Sequence, residues 1–371
     1  MRAIRHLSLL LVGIGSLMAG CAEAPQRREA PRELVFPSPP DEPKFVFERS
    51  LYSSRDVLPA RKDAALRQIL TGEAEQGGEG LQKPYAIAAR QGRIYVSDPV
   101  AGTVKLFDIP ARRHLVIGPD PQEVLLQPLG IDVDARFNLY VVDGAAKDVK
   151  IYDGEGKFLR RLGGPKAFHR PSGIAASADG ERVYVVDTGG VDRKVEHRVR
   201  VYDPRSGAHL FDFGKRGTGE GEFNLPRDIT IAPDGRLYVV DSGNFRVQIF
   251  DREGKFLKAF GSIGRQFGNF ARPREVAVDR QGIVYVSDAA FGNMQIFTAE
   301  GELLLFIGSR SDRDEPARYT LMSGVAADAD GRVYVADEYF RRVDVFRPAS
   351  LKANEGFVAA PEPVAASEKK P

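Results

Sequence analysis

The chain has 371 residues, 43% hydrophobic and 28% charged, with 38 glycines and a formal net charge of +2. This composition suits a turn-rich globular β fold, and the near-neutral charge argues against a dedicated nucleic-acid binder, which would carry a basic excess. The single cysteine, Cys21, excludes an internal disulfide and a thiolate metal cage.

Residues 1–20 open with Arg2 and Arg5, continue through an apolar core at 7–18 and end in small residues before Cys21. The apolar core is too short to span a bilayer and reads as an export signal. Leu17-Met18-Ala19-Gly20-Cys21 resembles a bacterial lipobox, with methionine where leucine is usual. That resemblance implies lipidation of Cys21 and, because Ala22 follows, an outer-membrane location in a Gram-negative cell, facing either the periplasm or the surface. Removal of the signal takes away two arginines and leaves 51 basic and 51 acidic residues. Residues 21–43 are rich in Pro, Glu and Arg and poor in core-forming side chains, which predicts a solvated tether.

Residues 44–52 (KFVFERSLY) alternate apolar and polar positions and predict a strand. Residues 53–83 form an insertion in which Arg61 to Leu70 has near-helical apolar spacing. It is either a partial lid over one end of the fold or a packing decoration.

From residue 84 the chain repeats. Tyr-Val-x-Asp ends at Asp98, Asp143, Asp187, Asp241, Asp288 and Asp337, at intervals of 45, 44, 54, 47 and 49 residues. A period of that length points to a propeller or solenoid. Within one unit, 228–232, 236–240, 246–250 and 256–260 are short β-branched or aromatic runs separated by Asp/Gly/Asn turns. Four such runs in series make one antiparallel blade, and no single blade buries both its faces. The prediction is an all-β, six-bladed β-propeller of four-stranded antiparallel blades over residues 44–348. The sixth repeat lacks a fourth strand. Residues 44–52 are its natural donor, pairing with Val343 to Phe346 and closing the ring; the alternative donor, Gly356 to Ala360, lies in a 349–371 tail that reads as disordered.

The glycine-rich lead-in (Gly214, Gly217, Gly219, Gly221), Phe223, Pro226, the motif Tyr238 to Asp241 and the run Arg246 to Phe250 resemble the NHL repeat. The resemblance extends over roughly residues 84–348, and Val35 to Pro43 resembles the lead-in of a bacterial group of six-bladed propeller lipoproteins. Some members of that group stand beside multihaem cytochrome systems, implying an envelope or electron-transfer assembly; this chain has no CxxCH and carries no c-type haem.

The six motif aspartates precede turns in every repeat and read as structural, their carboxylates accepting turn amide hydrogens. Positions where the repeats differ carry more information. Only blades four and five place charges after the motif proline: Arg227, Asp228, Arg274 and Glu275. These four predict either mutual salt bridges or a ligand site at the channel entrance. Phe245, Phe291, Tyr339 and Phe340 fall in second-to-third-strand turns on the same face and either form a protein-binding rim or pack on the next blade. The longest such turn, 188–198, carries His197 and is placed to confer specificity.

One NHL-like group, the peptidyl-hydroxyglycine lyases, bears zinc. Here His114, His169, His197 and His209 do not occupy equivalent rim positions, so no three-histidine site, no metal and no cofactor are expected. GxSxG, HExxH and a phosphate loop are absent. The expectation is a non-catalytic envelope lipoprotein whose loop face binds a protein partner. A metal-dependent lyase or lactonase-like enzyme is the alternative.

Overall fold

A computed structural model describes residues 33–59, 78–120, 123–189 and 195–358. Six antiparallel sheets surround a central channel. In blade four the strands are Pro226–Ile231, Leu237–Asp241, Arg246–Phe250 and Phe256–Phe260, in that spatial order from the channel outward. The second strand (LYVVD) is buried along its whole length, whereas the fourth (FLKAF) is mostly exposed or half-buried. That difference is what β-branched central strands and mixed outer strands predict.

The hydrophobic core is divided into six layers, each between neighbouring blades. Between blades two and three, for example, Tyr140, Val142 and Val149 meet Ile174, Val183 and Tyr202. Each layer requires both neighbours, so an open ring would expose one layer completely.

The ring is closed by Phe45–Leu51, which pairs antiparallel with Arg342–Pro348 from Phe45↔Pro348 to Leu51↔Val343. Two features of the sequence reading change here. Val35–Phe36, inside the segment read as a tether, adds a fifth strand by pairing with Phe45 and Val46. It does so because Phe36 has an apolar partner, its ring meeting Phe346 edge-on at 5.8 Å. Residues 349–358, read as the start of a disordered tail, are packed. Val358 is fully buried in the layer between the closing blade and blade one. Arg49 Nη2 donates to the Val358 carbonyl at 2.9 Å, and Arg332 Nη2 donates to the Glu355 carbonyl at 2.9 Å. Gly356 to Val358 form no strand.

The helical reading of Arg61 to Leu70, and Cys21 with the export signal, lie outside the described residues. The ends of the insertion are ordered against each other by a Ser53↔Gly80 bridge and by the Glu79 amide donating to Ser54 Oγ at 3.0 Å, while the Asp56 carboxylate fixes the first end by accepting from the Tyr52 and Ser53 amides.

Candidate functional site: the loop face and channel mouth

One face of the propeller carries the connections from each outer strand to the next inner strand, together with the second-to-third-strand turns. The motif aspartates organise this face. Asp288 accepts from the turn amides of Ala290 and Phe291 at 2.9 and 3.2 Å. It also accepts from Ala271 and Arg272, in the connection that precedes its own blade. Asp143 does the same for Leu126, Gln127, Ala145 and Ala146, and Asp337 for Thr320, Leu321, Tyr339 and Phe340. The structural reading of these carboxylates therefore holds. Asp98, Asp143, Asp288 and Asp337 each fix two loops, where the sequence suggested only the local turn, and Asp187 accepts from His169 and Arg170 of the preceding connection.

In blades two to six the first residue of the inner strand pairs with the motif aspartate, and the register then shifts before pairing resumes. Such bulges re-aim side chains. In blade four the shift spans Pro226 to Asp228, whereas in blade five it spans Pro273 to Val276.

The four charged residues singled out by the sequence do come together around the channel, but not as ion pairs with one another. Arg227 Nη2 reaches across to Tyr85 of blade one, donating to its hydroxyl at 3.0 Å. The Arg274 guanidinium lies 5.3 Å from the Tyr85 ring centroid, and its Nη2 is 2.7 Å from Glu338 Oε1 of blade six. Lys83 Nζ approaches the other Glu338 oxygen at 3.5 Å. These side chains close the mouth of the channel.

Below them the carboxylates stitch neighbouring inner strands together. Asp228 accepts from the Val276 amide at 3.0 Å and Glu275 from the Val325 amide at 3.2 Å. Asp132 of blade two accepts from Ala176 at 2.8 Å in the same way. All three line a constriction of the channel of about 80 Å3. Burial pushes the Asp228 carboxyl up to about 7 and the Asp132 carboxyl up to about 6. Glu275 is also raised, by burial first and by nearby Asp228 second. Asp132 went unnoticed in the sequence because it sits four residues after its proline rather than one or two. The available signal was an acid within the otherwise uncharged inner strand PLGIDV.

The aromatic rim divides. Tyr339 is 62% exposed. Phe245 is half-buried against the layer between blades four and five, and Phe291 is half-buried. Phe340 is half-buried beneath the Arg342 guanidinium, 5.2 Å from its ring centroid. His197 is fully buried, which removes it from any contact surface. Its Nδ1 accepts from the Gly189 amide at 3.0 Å, and burial pushes the imidazole down to about 4, so it is neutral at physiological pH. The rest of its enlarged turn, 190–194, lies outside the described residues.

The sequence reading missed a set of exposed aliphatic side chains on this face. Val100, Val124, Leu126, Leu225 and Ile263 join Tyr339 there, with Ile263 70% exposed. Among the described residues, the turns of the opposite face expose no large apolar side chain.

A model of the NHL repeat family matches residues 223–250. Human NHL repeat-containing protein 3 is 30% identical over 115 residues, 28% of this chain and 31% of that protein. The chain thus spans about a third of the length of that relative. A Bacteroides thetaiotaomicron protein of unknown function superposes with a TM-score of 0.57 at 15% identity, covering 73% of this chain and 71% of that one. A gluconolactonase from Xanthomonas campestris gives 0.53 at 20% identity, covering 72% and 87%. At those identities the structures share the fold alone. The chain is a six-bladed β-propeller that carries an NHL repeat.

Proposed function

We infer that this protein is an exported, lipid-anchored docking platform whose loop face binds a protein partner in the cell envelope. The observation that carries the reading is the asymmetry of exposed apolar side chains. Val100, Leu126, Leu225, Ile263 and Tyr339 stand out on one face, and the turns opposite expose nothing comparable among the described residues. Exposed aliphatic and aromatic side chains gathered on one face mark contact surfaces. The lipobox-like segment ending at Cys21 supports the anchor.

The lyase or lactonase alternative draws its support from the three channel carboxylates and from the shared fold. Against it, the narrow part of the channel that the three carboxylates line, about 80 Å3, is walled otherwise by small and aliphatic side chains such as Ala86, Ala88, Ile131 and Ile174. Each of its carboxylates is already engaged by a backbone amide.

Crosslinking and capture from intact cell envelopes test the platform. Val100→Asp, Leu126→Asp, Ile263→Asp and Tyr339→Ala combined should abolish a crosslinked partner seen with the wild type, while Arg252→Glu on the opposite face leaves it intact. Undiminished capture by the loop-face variant would overturn the reading. A stoichiometric zinc or calcium ion in the purified protein would instead favour the enzyme.

A further inference from the structure

On the outer wall of the ring, between blade five and the closing blade, runs a groove of about 810 Å3 lined by Leu34, Phe36, Phe267, Leu303, Leu304 and Phe306. Its floor is the outermost strand of blade five, Leu303–Ile307, which reads LLLFI. The corresponding strands of the other five-residue or longer outer edges read RHLVI, FLRRLG, HLFDF and FLKAF, each broken by a charged or polar side chain. Natural sheets blunt open edges with such residues; this edge is not blunted. Phe267 is 60% and Leu304 51% exposed. The rings of Phe267 and Phe306 stack with centroids 4.0 Å apart.

The chain's own termini are unsuited to cover this wall. Residues 22–33 (AEAPQRREAPRE) hold no apolar side chain larger than proline, and residues 359–371 hold one branched aliphatic, Val364. Leu34, from which the amino-terminal segment departs, itself lines the groove. With Cys21 acylated, residues 22–33 can extend at most ~40 Å at ~3.5 Å each, so this wall is within reach of the bilayer. Arg265, Arg310, Arg313 and Arg318 lie in the two flanking loops, and none forms an ion pair among the described residues. The nearby acids are Asp41 and Glu42, which line the groove, and Asp312, Asp314 and Glu315 in one flanking loop; Glu42 is paired with Lys44 and Asp314 with Arg342, which leaves four arginines against three acids.

We propose that this wall of the ring seats in the boundary between headgroups and acyl chains of the membrane that holds Cys21. Phe267, Phe306 and Leu304 enter the apolar side while the flanking arginines meet lipid phosphates. The propeller axis then lies along the membrane plane, which leaves the loop face open sideways to a partner. The approach to the bilayer rests on the lipid-anchor reading; the exposed wall is independent of it.

Flotation of the full chain with vesicles of phosphatidylethanolamine and phosphatidylglycerol tests the contact. The Cys21→Ser protein should still float with these vesicles, and less with phosphatidylcholine. Adding Phe267→Ser and Phe306→Ser should cut the bound fraction about tenfold or more, since each ~1.4 kcal/mol of lost burial is a factor of ten. Leu210→Ser, an exposed position on the outer strand of blade three, serves as the control and should float like the parent. Equal flotation with and without the two phenylalanines overturns the proposal. So does a Cys21→Ser chain that fails to float and instead dimerises in solution through this wall. Metabolic palmitate labelling separates the two ideas: flotation of Cys21→Ser in a protein that never incorporates palmitate keeps the wall contact and removes the anchor.

Discussion

Arg274 and Glu338 form the lock at the channel mouth: Nη2 and Oε1 stand 2.7 Å apart, with both side chains buried and on different blades. The contact has ion-pair distance, but Glu338 Oε1 lacks an aligned hydrogen bond. It therefore acts through charge more than through direction. Glu338→Ala strands a buried guanidinium and should cost about 3–5 kcal/mol. Replacing both residues by Met and Leu should cost much less, because no charge is then left unpaired. Denaturant midpoints of the single and double variants check this; equal losses would show that packing around Tyr85, not charge, sets the cost.

Asp288 is the position where one side chain serves two loops. Asp288→Ala removes an acceptor from the amides of Ala271, Arg272, Ala290 and Phe291 in a fully buried site. Bonds to a charged acceptor contribute about 1.5–3 kcal/mol each, so a loss of at least ~3 kcal/mol is expected. Asp288→Asn keeps one carbonyl oxygen and should lose less. Hydrogen exchange provides the finer measurement: amides at 271–272 and 290–291 should lose protection together in the alanine variant. Loss at 290–291 alone would mean that the connection is held by other contacts.

The blade count, the strand order and the closing strand were legible because each depends on a pattern repeated six times. The period of Tyr-Val-x-Asp needs no tertiary information, and the missing fourth strand of the last repeat leaves one alternating segment to fill it. What a charged side chain does at the channel was not legible. Arg227 and Arg274 look equivalent in the repeat, yet one meets the Tyr85 hydroxyl and the other meets Glu338. Their bulges begin alike but resume pairing at different residues, and their partners come from blades one and six. Phe36 illustrates the same limit: surrounded by prolines it reads as tether, and only the Phe346 ring across the sheet makes it a strand.

Ring closure should dominate stability. Deleting residues 44–52 removes the strand paired with Arg342–Pro348 and also removes Glu48, the carboxylate bound through both oxygens by the fully buried Arg332. The layer between the closing blade and blade one also loses Leu51. The truncated chain should lose its cooperative thermal transition, whereas Glu48→Ala alone should lower stability by only about 1.5–3 kcal/mol, the worth of a hydrogen bond to a charged group, because Asp330 and the Glu355 carbonyl still hold Arg332. An unchanged melting profile in the truncated chain would show that another segment closes the ring.

The channel carboxylates set a pH dependence with a definite sign. Burial raises Asp228 to about 7, and neighbouring Asp132 adds to the shift against the lowering effect of the Val276 and Ile229 amides. The unfolded carboxyl titrates near ~3.9. Between roughly pH 4 and pH 7, therefore, the unfolded chain releases a proton that the folded chain keeps. The folded state binds more protons across that window, so this group lowers stability as pH rises, by at most ~1.4 kcal/mol per pH unit, and adds no further change above about 7. Asp228→Asn keeps an oxygen to accept from Val276 and removes the titration. Urea midpoints taken from pH 4.5 to 8 should show the variant gaining on the wild type as pH increases, with the gap levelling off near neutrality. Parallel curves across that range would mean that Asp228 is ionised in the folded protein. Its charge would then have to be balanced by Arg227, despite the hydroxyl contact that this arginine makes across the channel.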